Sequence, residues 1–163
     1  QRAAPRRAVT AAAHDQTEFT LGQLTTEYRR RLTLHRLGQG ERPRWMDEIM
    51  RPLARELGRA AGLGASVGGP MGVGALVLIT LRDLDAEAQE SLTFTPHHDG
   101  DHFELRLVNT HSDTGRFPPG TLRSRAGLGY ETVTLQPHHT AQEILDLHRS
   151  FTPVHATAPV HDQ

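Results

Sequence analysis

The chain has 163 residues, 36% of them hydrophobic and 23% charged, with no cysteine and a formal net charge of -1. That length suits one domain with a core of its own. The lack of cysteine excludes disulfides, thiolate metal sites and cysteine nucleophiles.

All 18 basic residues are arginine, a pattern we read as coding bias rather than chemistry. Their distribution is uneven. Residues 1–60 hold 12 arginines against 7 acids, and residues 61–163 hold 6 against 12. A basic half can attract nucleic acid, but these arginines are interleaved with acids and read as a solvated helical surface, so nucleic acid is not an expected partner.

Residues 1–16 are small, basic and without apolar period, which predicts a flexible basic arm ahead of a single domain over 17–152. The chain opens on Gln1, read as a trimmed or processed end, and no secretory apolar segment follows. The expected compartment is the cytoplasm.

The first predicted helix runs from Leu21 to about Leu37, with Thr20 and Gln23 as a capping box and Leu21, Leu24, Tyr28, Leu32 and His35 at helical spacing. Gly38 and Gly40 stop it. Pro43 opens a second helix to about Ala61, whose apolar face carries Trp45, Met46, Ile49, Met50, Leu53 and Leu57. Pro52 lies inside that helix, removes the bond to the Glu48 carbonyl and predicts a kink.

Residues 62–74, GLGASVGGPMGVG, are expected to form a mobile Gly-rich loop. They fall within an uncharged stretch of membrane length, Ala60 to Leu81, but glycines and Pro70 make it a poor spanning helix, so no membrane partner is expected. Gly64-Ala65-Ser66-Val67-Gly68 matches the G-x-S-x-G of a nucleophile elbow. That elbow needs a strand before it and a helix after it, which this chain does not offer. A serine hydrolase acting through Ser66 is the weakest of three functional readings.

Val73 to Leu81 reads as a strand apolar on both alternating sets, hence covered on both faces. Ser91 to Asn109 then reads as a hairpin. Asp99-Gly100 is a strong type I′ signal, and a turn there sets His97 opposite His102 on the polar face, Cβ atoms roughly 5 Å apart. Leu92, Phe94, Phe103, Leu105 and Leu107 share the other face. The connection from Thr110 to Leu128 is long enough to suggest function. Its Arg116, Arg123 and Arg125 are candidates for clamping a carboxylate or phosphate ligand. Gly129 to Gln136 is a final strand, and Thr140 with Glu143 caps a last helix that Pro153 is expected to end, leaving 153–163 as a disordered tail.

The predicted fold is therefore α+β: two N-terminal helices, a mostly antiparallel sheet of about four strands that includes the 91–109 hairpin, and a C-terminal helix. Apolar character on both faces of strand 73–81 and on the Met/Trp helix suggests a core completed by a second copy, hence a homodimer.

Nine of the eleven histidines follow residue 90, and Pro-His-His occurs at 96–98 and again at 137–139. A meander of strands 91–96, 103–109 and 130–136 would bring both ends to one sheet edge. His97, His98, His102, His138 and His139, with Asp101, would then meet as a candidate site for zinc or another transition metal. The leading functional reading is a non-enzymatic domain that binds a small ligand or a protein partner. The alternative is a small metal-dependent hydrolase at the histidine edge.

Overall fold

The computed structural model of the chain describes residues 18–72, 74–83, 85, 88–109, 122–123 and 129–157. Helix α1 spans Leu21–Arg36. A π-helical turn at Met46–Met50 runs directly into an α segment at Arg51–Ala61, and we call the two together α2. Strands follow at β1 Gly64–Met71, β2 Leu76–Asp83, β3 Ala88–Asp99, β4 His102–Asn109, β5 Leu122–Arg123 and β6 Gly129–Thr134, and helix α3 at Ala141–Thr157. The expected α+β class holds, with an antiparallel sheet in the order β1-β2-β3-β4-β6-β5. Residues 1–17 and 158–163, and with them most of the predicted arm and tail, lie outside the described residues.

Local chemistry explains the helix ends. The Thr20 backbone N–H donates to Gln23 Oε1 at 3.2 Å. Thr140 and Glu143 form a reciprocal box, with the Thr140 N–H on Glu143 Oε1 at 3.0 Å and the Glu143 N–H on Thr140 Oγ1 at 3.1 Å. Each satisfies backbone donors that have no partner inside the helix. Pro153 does not end α3, which continues to Thr157.

Pro52 acts through the turn before it. The Arg51 N–H reaches back to the Met46 carbonyl, five residues away, so the backbone is widened where a proline ring would otherwise press on the carbonyl four residues earlier. The α segment then starts afresh with the proline in its first turn, where a missing N–H costs no helical bond.

All three helices cover one face of the sheet. Leu21, Tyr28 and Leu32 of α1, Ile49, Met50, Leu53 and Leu57 of α2, and Ile144 and Leu145 of α3 form one buried cluster with the strands. The strands contribute Val77, Ile79, Leu81, Leu92, Phe94, Phe103, Leu105 and Leu107, the alternate residues that pleating sends to one side. Gly58 lets α2 descend onto the start of β1, since a Cβ there would stand 2.7 Å from the Leu63 carbonyl oxygen.

Two sequence expectations are corrected here. Residues 64–71 are an edge strand paired antiparallel with β2, not a loop. Moreover, β2 is covered on one face only: Val77, Ile79 and Leu81 are buried, whereas Leu76, Leu78 and Thr80 on the other set are half-buried.

The hairpin has the predicted faces and a different register. Asp99 pairs with His102, His98 with Phe103 and His97 with Glu104, so the turn is Gly100-Asp101 rather than Asp99-Gly100. Gly100 has φ 65° and Asp101 is not left-handed, which is the type II′ pattern with glycine first. Sliding a two-residue turn by one position changes every cross-strand partner by two. Since two is the side-chain period, the alternation of apolar and polar residues is the same in both registers.

Candidate functional site

The order β3-β4-β6 is the expected meander, and β3 and β6 run the same way because each is antiparallel to β4. Yet side-chain direction separates the histidines. His98 pairs with Phe103 and therefore faces the helices. Its ring meets Phe103 edge-on at 4.8 Å between centroids, and its Nε2 lies 3.2 Å from the Tyr28 hydroxyl. His97 and His102 face the opposite, open side. His102 Nε2 lies 2.9 Å from Glu104 Oε2, and Arg106 Nη2 donates to Glu104 Oε1 at 3.3 Å. The His102 hydrogen bond, with Arg106 adding to it, holds the Glu104 carboxyl below its ordinary range. Asp101 is ion-paired with Arg36.

The second Pro-His-His serves a helix end. The carbonyls of Pro137 and His139 accept the Gly22 and Leu21 N–H groups at 2.8 and 2.9 Å, satisfying the first turn of α1. His139 Nδ1 accepts the Gln136 N–H at 2.9 Å, and the His138 and His139 rings stand 4.5 Å apart. Asp101 is tied to Arg36 at the last turn of α1 and His139 to Leu21 at its first, roughly 20 Å apart along the helix axis at its standard rise. Among the described residues, no three histidines or acids are grouped so that they could hold one ion. Arg116 and Arg125 lie outside the described residues, as does the side chain of Arg123, whose backbone pairs with Gly129.

Burial lowers the pKa of His98, with Arg42 and His97 adding to the effect, and burial with His138 beside it lowers that of His139. A depressed imidazole pKa means that the unfolded chain takes up the proton first. The stability these rings contribute is then complete above the unfolded value of about 6.5 and lost as pH falls through it toward the lower folded values. The thermal midpoint should therefore drop between pH 7.5 and 5, and less steeply in His98→Gln. An identical pH profile in that variant would contradict the assignment to His98.

The feature that sequence reasoning missed is the free side of β1. Among the described residues β1 pairs only with β2, at the end of the sheet order. Gly64, Ala65, Ser66 and Gly68 are all exposed, and no charged residue occurs from Ala60 to Leu81. The regular ladder runs from Gly64 to Gly68, and its register then shifts before Met71, with Pro70, which has no N–H to offer, in the interruption. Met71 is 49% exposed.

Beside the start of β1 is a shallow cleft of about 550 Å³, lined by residues 62–66 together with Thr80, Arg82, Asp83 and Asp85. Ser66 sits here, opposite Thr80 in the middle of a strand. It is not at a strand-to-helix turn, and among the described residues no histidine lines the cleft to act as its base. The uncharged run with Gly72 and Gly74 inside it was the available signal for a β1–β2 hairpin. Small residues hide the alternation that would have marked the first strand. No family model, curated protein or solved structure matches this chain.

Proposed function

We propose that the chain is a non-enzymatic protein-interaction domain whose binding element is the outer edge of β1. The observation that carries this reading is a five-residue ladder, Gly64 to Gly68, at the end of a sheet. Its outward N–H and C=O groups have no strand partner among the described residues. Such an edge is a template for another strand, and proteins that do not use one blunt it with charges, prolines or bulges along its length. Here Gly64, Ala65, Ser66 and Gly68 carry neither charge nor bulk, and Pro70 and the register shift come only after them. Main-chain hydrogen bonds would supply the affinity.

The hydrolase readings have no comparable support. His98, His102 and His139 serve a ring stack, a carboxylate pair and a helix end, and among the described residues no histidine lines the cleft beside Ser66. Amide hydrogen exchange on dilute protein tests the proposal. In residues 64–68 the outward amides should exchange fast while those of β2 and β3 stay protected. Uniform protection of 64–68 at the lowest usable concentration would mean that the chain covers its own edge, and would overturn the reading.

A further inference from the structure

We propose, building on that reading of β1, that the strand it receives is the β1 of a second copy of this chain. The two copies would form a twofold antiparallel pair in which Met71 of each enters the cleft of the other. Three observations select this occupant. First, a strand added from a foreign peptide gains specificity from a series of pockets for its alternate side chains, and along the regular ladder Gly64, Ser66 and Gly68 offer no such series, only the cleft at the N-terminal end. Second, a twofold axis sets each residue against its own kind or its near neighbours, which is costly where the strand is charged. This strand and its flanks are uncharged from Ala60 to Leu81.

Third, knob and hole lie at opposite ends of one strand. Met71, at the C-terminal end of β1, is one of two large apolar residues most exposed in the described structure. The cleft surrounds the N-terminal end, at residues 62–66. In an antiparallel pair centred on Ser66 or Val67, the C-terminal end of one strand meets the N-terminal end of the other. The extra residue before Met71 then places that side chain near residues 62–64 of the partner. Each chain thus gives one knob and receives one, which is the reciprocity a twofold interface requires. The half-buried Leu76 and Leu78 on the open face of β2 lie beside Met71 and extend the apolar surface toward the pair.

Sedimentation velocity of the full chain over a range from about 1 to 200 μM tests this, a window chosen for an interface at the weak end of the usual affinity scale. The expected result is a reversible rise to the mass of two chains. Ser66→Lys, which puts a charge on the edge, and Met71→Ser, which removes the knob, should each weaken association about tenfold or more. Leu37→Ser removes an exposed apolar side chain at the C-terminal end of α1 and should change nothing. All three positions are exposed, and unchanged circular dichroism confirms that each variant folds. A dimer unaffected by both Ser66→Lys and Met71→Ser forms elsewhere and overturns the inference. A chain that stays monomeric at every concentration also overturns it. In that case fast exchange of the 64–68 amides leaves the edge open for a different partner, whereas their protection removes the interaction reading as well.

Discussion

Replacing Phe94 with alanine is expected to cost about 3–5 kcal/mol of folding stability, the range for emptying a large aromatic site in a closed core. Phe94 is fully buried and stands on β3 directly between Val77 on β2 and Leu107 on β4, both also buried. Backbone ladders on both sides hold the three strands at fixed spacing, so the hole cannot close by sliding a strand. A domain of this size has a total stability of roughly 5–15 kcal/mol, so the variant should unfold at a much lower urea concentration. Thr93, its sequence neighbour on the open face, is only half-buried, and Thr93→Ala should cost no more than about 1 kcal/mol. A Phe94→Ala loss below 1 kcal/mol would contradict the placement of the core.

The second large effect is expected at Tyr28. It is 1% exposed, stacks on Phe103 with centroids 5.0 Å apart and places its hydroxyl on His98 Nε2. It is therefore the buried ring contact by which α1 holds the tip of the 91–109 hairpin, beside the Arg36–Asp101 ion pair. Tyr28→Ala should cost about 3–5 kcal/mol through lost packing, whereas Tyr28→Phe removes only a neutral hydrogen bond and should cost about 1 kcal/mol. The two variants also differ in pH response. Burial is the main reason the His98 pKa is low, so removing the phenol ring exposes the imidazole and should flatten the fall in stability between pH 7.5 and 5. Tyr28→Phe keeps the ring and should keep most of that slope.

What could be read from the sequence followed from period. Leu21, Tyr28 and Leu32 recur as a helix face must, and Leu92, Phe94, Phe103, Leu105 and Leu107 alternate as a sheet face must, and all are buried. What could not be read followed from features that period does not encode. The hairpin turn moved from Asp99-Gly100 to Gly100-Asp101 without disturbing any face, because the change in pairing equals the pleat repeat. The Gly64–Met71 strand has side chains too small to alternate. Pro52 signals an irregularity at the right place but not its form, a widened turn at Met46–Met50.

The histidine edge illustrates the same limit at the level of a site. Its strand order was legible and holds. Whether five rings meet depends on which way each points, and His98 turns toward Tyr28 while His97 and His102 turn to the open face. Helix α1 then lies between the two Pro-His-His segments as a spacer, with Leu21 on one and Arg36 near the other. The first Pro-His-His lies inside β3, where pleating sends its two rings to opposite faces, and the second closes the start of α1 through its carbonyls.

The measurement that bears most directly on the account is amide exchange of residues 64–68 followed as protein concentration rises. If β1 is where the chain binds its copy, protection of these amides increases in step with the fraction of dimer, and the amides of α1 and β4 do not change. Protection that stays constant while the mass doubles would place the interface elsewhere and contradict the role assigned to this strand.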